Sequence, residues 1–210
     1  MSPSMARPVN ADAAATRQRI LESATLLFSE QGAKSSVREI AKSAGVSLAM
    51  VHHYFGSKQD LYAACVDAMY EELAELRDHL QASLAQGGAG SIGELLEQAI
   101  RAGFRFARAH QPAMRLMLRQ VVSVGAIDAS RVDEFLVPFL EQGSRLIAGL
   151  SGRSPESLRL PLQSLIFLNG RYAIADEQEL MLVTRTETPE AALEAVEDHL
   201  VESAHLTLGF

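Results

Sequence analysis

Between Ser36 and Lys58 the chain gathers side chains suited to gripping another molecule rather than to making or breaking bonds. Arg38, Ser47, the pair His52-His53, Tyr54 and Lys58 donate hydrogen bonds, while Leu48, Ala49 and Met50 offer apolar contact. Adjacent histidines point in different directions on a helix, so His52 and His53 could not chelate a metal together. His79, His110, His199 and His205 are too far apart in sequence to nominate a metal site. The single cysteine, Cys65, can form neither an intrachain disulfide nor a cysteine cluster, and on an apolar helix face it reads as packing. Gly-rich phosphate loops and the HExxH, CxxC and GxSxG patterns are absent, and the acids fall at helix-surface spacing. The expectation is a binding protein and not an enzyme, with no cofactor and no metal.

The elements that position these groups are short and sharply punctuated. A first helix, from near Thr16 to Gly32, places Ile20, Leu21, Ala24, Leu27 and Phe28 on one stripe. Ser36-Val-Arg-Glu39 is a capping box, which opens a second helix carrying Val37, Ile40 and Ala41 inward. That helix stops at Ala44-Gly45, Val46 plugs the core, and Ser47 caps a third helix from Leu48 to Tyr54. Two residues between Gly45 and Leu48 force the helices to cross steeply, the build of a helix-turn-helix DNA reader. Val51 and Phe55 then face inward, and Leu48, Ala49, Met50, His52 and His53 face out. The same geometry occurs without DNA, so a helical scaffold that binds another protein stays open on these residues.

Charge separates head from body. From Thr16 to Asp60 six basic residues oppose four acids, giving +2, whereas Leu61 onward carries −9 of the total −7. A mildly basic head on an acidic body can set one face on phosphates while the body stays off the duplex.

The gapless segment Ile20–Leu61 resembles the DNA-binding domain of the TetR (tetracycline-repressor-like) family of transcriptional regulators. The resemblance is carried by Ser35-Ser36-Val37-Arg38-Glu39-Ile40-Ala41, Ala44-Gly45-Val46-Ser47 and Val51-His52-His53-Tyr54-Phe55-Gly56-Ser57-Lys58-Gln59-Asp60-Leu61. It implies that Arg38 reaches a base edge, where an arginine can fork onto guanine O6 and N7. It places Leu48, Ala49 and Met50 in the major groove against thymine methyls, and Ser36, Ser47, His52, His53 and Tyr54 at phosphates or base edges. Lys58, with the start of the fourth helix, would hold a phosphate. At His52 the family most often has tyrosine, whose hydroxyl reaches a phosphate; imidazole differs in reach and charge.

Downstream the pattern is helical throughout. A fourth helix from Ser57 runs about 28 residues, roughly 40 Å, until Gly87-Gly88-Ala89-Gly90 breaks it. Ser91-Ile-Gly-Glu94 caps a fifth helix to His110, whose Arg101, Arg105 and Arg108 share a face expected to be solvated, with Glu97 pairing to Arg101. Pro112 starts a sixth helix to about Val124, and a seventh follows from Ser130 to Leu150, kinked at Pro138. Phe104, Phe106, Met114, Met117, Phe135 and Phe139, with Arg105, His110, Arg119, Asn169 and Tyr172, suit either a small-molecule pocket or an ordinary core. Ser154-Pro155-Glu156 opens an eighth helix, apolar nearly all round between Leu158 and Ile174. A final helix capped by Thr188-Pro189-Glu190 stacks Ala192, Val196, Leu200, Ala204 and Leu208. A chain of 210 residues has little mass to cover both, so the last two helices are expected to pair with those of a second copy.

The fold class expected is all-α, about nine helices: a tail over 1–15 expected to be disordered, a helix-turn-helix domain over 16–60, and a ligand-binding and dimerisation domain over 61–210. Hydrophobic residues make up 48% and charged ones 21%, as in a globular chain. No apolar run approaches the roughly 18 residues of a membrane span and no apolar signal core opens the chain, and the lone cysteine, Cys65, points to the cytoplasm. The family resemblance implies a ligand-responsive repressor that binds a palindromic operator in double-stranded DNA as a homodimer and answers to an unidentified small-molecule effector.

Overall fold

The computed structural model describes residues 9–85, 92–125, 127 and 129–209, and its regular elements are all helical. They are α1 (Val9–Gln31), a 3-10 turn (Gly32–Lys34), α2 (Val37–Ala44), α3 (Leu48–Phe55), α4 (Lys58–Ala85), α5 (Ile92–Ala109) and α6 (Gln111–Val124). There follow α7 (Ala129–Arg131), a π-helical turn (Val132–Leu136), α8 (Val137–Ser151), α9 (Pro155–Ala173), α10 (Glu177–Thr184) and α11 (Pro189–Leu208). Among the described residues no helix is long and apolar enough to cross a membrane.

Helix α1 begins at Val9, earlier than Thr16, because the alanine-rich run before Thr16 has high helix propensity and Asp12 suits the positive end of a helix. Thr16 Oγ1 also ties back to the Asp12 carbonyl at 2.7 Å. Residues 1–8, the break at Gly87–Gly90 and the cap at Ser91 lie outside the described residues. The irregularity expected at Pro138 falls just before it. Pro138 has no N–H to close an α-turn, and the Val137 amide reaches five residues back to the Val132 carbonyl. Helix α10 has no counterpart in the sequence reading. It is two turns long, capped by Asp176 accepting from the Glu179 amide at 2.7 Å, and anchored by buried Leu180.

Three apolar clusters hold the chain. The first joins Ile20, Ala24 and Phe28 of α1 to Ile40, Val51, Phe55, Leu61 and Cys65, and it also takes in Leu116 of α6. The second packs Phe104 and Ala107 against Ala173, Leu180, Val196 and Leu200; the third packs Ile147 and Leu158 against Ala204 and Leu208. Burial pushes the Cys65 thiol up to about 11, so it packs as a protonated thiol.

Two expectations change here. The arginine face of α5 is bonded as well as solvated, with the Arg105 side chain 70% exposed. Arg105 donates twice to Glu197 at 2.7 Å, Arg101 reaches Glu197 and Asp198, and Arg108 donates to the Ala173 and Ala175 carbonyls at the end of α9. These cations pin α11 and cap α9, while Glu97 pairs with His205 at 2.9 Å instead of with Arg101. Likewise the α11 stripe Ala192, Val196, Leu200, Ala204 and Leu208 is buried within the chain and unavailable to a second copy. Helix α9, expected to be covered all round, leaves Leu160 75% exposed and Phe167 41% exposed.

If the first cluster is one core shared by head and body, Leu116→Ala lowers global stability by about 2–5 kcal/mol, since Leu116 is fully buried. Urea unfolding followed by circular dichroism should show one transition at a lower midpoint; an unchanged midpoint rejects the shared core.

Candidate nucleic-acid interface

The reading edge is built from two caps and one glycine turn. Ser36 Oγ accepts from the Glu39 amide at 3.2 Å, and the Glu39 carboxylate takes the Ser36 amide at 2.9 Å and hydroxyl at 2.7 Å. Gly45 closes α2 at φ +66°, a conformation a Cβ opposes, and Val46 N–H reaches back to the Ala41 carbonyl. Ser47 then caps α3 through the Met50 amide. With Val51 and Phe55 buried beneath, α3 has one free face: Leu48, Ala49, Met50, His52 and His53 are exposed. Arg17 lies 5.2 Å over the Phe55 ring, closing that core from outside.

Arg38 projects from the first turn of α2, exposed and without a carboxylate partner among the described residues. Tyr54 is half-buried, its ring edge-on to His53 at 5.3 Å. At the start of α4 a second box forms: the Asp60 carboxylate takes the Ser57 amide at 3.0 Å and hydroxyl at 2.7 Å. Hydrogen bonds from Ser36 and Ser57 hold the Glu39 and Asp60 carboxyls below their usual range, and Lys58 adds to the effect on Glu39. A phosphate arriving beside Lys58 therefore meets a helix end where a carboxylate is already seated.

His52 occupies a position that sequence reasoning did not resolve. Its Nδ1 lies 2.7 Å from the Gly56 carbonyl oxygen, and the Gly56 amide donates to the His52 carbonyl at 2.9 Å. A carbonyl only accepts, so Nδ1 carries the proton and donates. The neutral ring then offers Nε2 as a bare acceptor, and only the imidazolium can donate to a phosphate oxygen.

A second site lies in the body, a cavity of about 470 Å³ among α4, α5, α6, α8 and α9. Met114, Met117, Phe135, Phe139 and Asn169 lie on its wall. Six candidates, Phe104, Arg105, Phe106, His110, Arg119 and Tyr172, do not. Phe104 is buried between α5 and the C-terminal helices, and Arg105 is bonded to Glu197. His110 stacks on Phe106 and meets Glu72 at 3.0 Å, and Tyr172 packs edge-on to His199. On α5 the wall is Leu96, Ala99, Ile100, Gly103 and Ala107, so Phe104, one position along, is rotated about 100° away. Arg119 leaves the pocket for the head, donating to the Ser29 carbonyl at 3.0 Å. The contribution of α4 (Val66, Tyr70, Leu73) was missed, although its apolar spacing continues past the head. Among the described residues no group of three or more His, Cys, Asp or Glu is placed to hold a metal ion.

Comparison with known proteins matches residues 20–65 to the family model described as bacterial regulatory proteins, tetR family. The chain is 30% identical over 155 residues, 72% of each protein, to a probable HTH-type transcriptional regulator, YttP, of Bacillus subtilis. It is 26% identical over 195 residues, 82% of this chain and 87% of the other, to the HTH-type transcriptional dual regulator CecR of Shigella flexneri. A TetR-like transcriptional regulator from Rhodococcus sp. RHA1 shares the fold at a TM-score of 0.60, with 23% identity over 97% of this chain and 98% of that one.

If His52 hydrogen-bonds a phosphate, His52→Ala weakens binding to the duplex by about 0.5–1.5 kcal/mol, and His52→Tyr, which restores a donor, recovers it. Fluorescence anisotropy with a fixed duplex at constant salt and pH measures this, and an unchanged affinity in His52→Ala would remove His52 from the contact.

Proposed function

The chain belongs to the tetR family of bacterial regulatory proteins and is a helix-turn-helix transcriptional regulator, and from that premise we propose that it is a ligand-responsive repressor acting as a homodimer in the cytoplasm. The observation that carries the reading is α6, which lines the cavity through Met114, Met117 and Leu118 while Leu116 and Arg119 are seated in the head. An effector that shifts α6 moves the head with it, changing the population of head spacings that fit DNA.

The reading head spans residues 16–60, extended by the earlier start of α1, and residues 61–210 hold the effector and pair the copies. Within the head, Arg38 reads a base edge, and Leu48, Ala49 and Met50 enter the major groove. Ser36, Ser47, His52, His53, Tyr54 and Lys58 hold phosphates or base edges. Two heads would read half-sites about 34–36 Å apart, or a multiple of that. Pairing through the outer face of α9 is favoured because Leu160, Ser164, Phe167 and Arg171 form one exposed stripe.

Selection of bound duplexes from a random pool should return a palindrome. On that sequence Arg38→Ala costs about 1–3 kcal/mol and relaxes preference at one position, whereas Lys58→Ala weakens all sequences alike and lowers the salt slope by about 1. Unchanged binding in both variants rejects the contact assignment. Leu160→Glu yields a monomer in light scattering and loses at least about ten-fold in affinity for the palindrome; a dimer of unchanged affinity rejects the α9 interface.

A further inference from the structure

The cavity wall also restricts what can enter it, an argument that rests on the ligand-responsive reading of the same site. We propose that the effector is an uncharged, largely apolar molecule with one hydroxyl or carbonyl group, which hydrogen-bonds to the Asn169 carboxamide. Along α4 the wall runs from Val66 to Arg77, about 16 Å of helix, so an extended molecule fits the 470 Å³ space.

The charged side chains in the wall are already matched. Among the described residues they are Arg77 and Arg131. Arg77 donates through Nε and Nη2 to Asp78 at 2.9 and 2.8 Å. Arg131 is paired with Asp67, with its guanidinium 5.1 Å over the Tyr70 ring. An anionic ligand would compete with Asp78 and Asp67 for these arginines. Among the described residues a cationic ligand finds no carboxylate in the wall. Either ion gives up more hydration on entry than a neutral molecule does.

Asn169, opposite Gly103, supplies one polar group; Gln120, Gln142 and Gln163 are the other carboxamides of the wall. Asn169 lines the cavity half-buried, and no described residue hydrogen-bonds to its side chain. Gly103 faces it: a Cβ there would stand 3.8 Å from Asn169 Nδ2, so the glycine keeps the approach open. A wholly apolar ligand would leave that amide dry and unpaired, whereas a hydroxyl or carbonyl satisfies it.

The test is competition against N-phenyl-naphthylamine, which brightens in apolar sites, on the full-length protein at about pH 8, where a free carboxylate is ionised. Decanol, decanoate and decyltrimethylammonium share a chain and differ in the headgroup. Decanol should displace the dye with at least about ten-fold higher affinity than either ion, and Asn169→Leu should lower decanol affinity about five- to ten-fold relative to the dye affinity measured in the same variant. Equal or tighter binding of either ion, an Asn169→Leu variant that keeps full decanol affinity, or failure of the dye to bind each overturns the proposal. Release of the selected duplex is followed in parallel. Displacement of the dye without release supports the ligand class and overturns the regulatory reading.

Discussion

Leu116 is completely buried among the side chains of α1 to α4, yet it belongs to α6, a body helix. Its helix neighbours Met114, Met117, Leu118 and Val121 line the cavity, so one helix separates the two sites by its own thickness. Three residues along, Arg119 crosses to the Ser29 carbonyl near the end of α1. A Cβ on Gly32 would stand 2.6 Å from Arg119 Nη1, and Gly32 also sits at φ +61°. Glycine is thus favoured there by the backbone turn, and a Cβ would also make the Arg119 guanidinium shift. Close packing makes such a junction stiff: α6 cannot slide without breaking the Arg119 bond or carrying α1 along.

What fixes α6 at its other end is a set of side-chain donors, two of them cations, placed on carbonyls. Arg108, Gln111 and Arg115 all reach carbonyls at Ala173 to Ala175, where α9 ends. Helix C-termini leave such oxygens without partners, and cations there also suit the helix dipole. The end of α9 is thereby coupled to the α5–α6 corner, and buried Glu197 couples α5 to α11 through two arginines. With its charge shared between two guanidiniums, that carboxylate is costly to leave alone, so the body helices hold one arrangement around the cavity.

The head was legible because its signals are local. A Ser at an N-cap with Glu three residues later, a glycine at a helix end and an apolar period of 3.6 each specify backbone within one turn, and Ser36, Gly45 and Val51 stand where those rules place them. The body was less legible because periodicity says which face is apolar, not what covers it. The stripe on α11 reads equally as interface or interior, and the contacts to α5, α9 and α10 decide for interior. The α5 arginines read as a solvent face because their partners lie 65 to 97 residues away in the chain. Phe104 was the right residue type for a pocket, but one position of rotation about the α5 axis puts it in the core instead, and Tyr172, two positions beyond Gly170, packs against the same core. His52 was singled out for its type, but its bond to the Gly56 carbonyl depends on the turn geometry after α3.

The charge balance gives the junction its leverage. Backbone phosphates supply much of the affinity of DNA-binding proteins, through the cations that replace their counterions. A head of net +2, whose α2 and α4 starts already hold Glu39 and Asp60, has few cations to offer. Its third helix leads with Leu48, Ala49 and Met50, apolar side chains suited to contact with thymine methyls and to exclusion, which contribute little attraction to a duplex at large. On the proposed reading a single head would be a weak binder, and useful affinity would need two engaged at once, the second binding at an effective concentration set by the geometry between them. Under those conditions a small change in head position would remove most of the affinity without altering any contact within either head. That is the change the proposed mechanism assigns to α6.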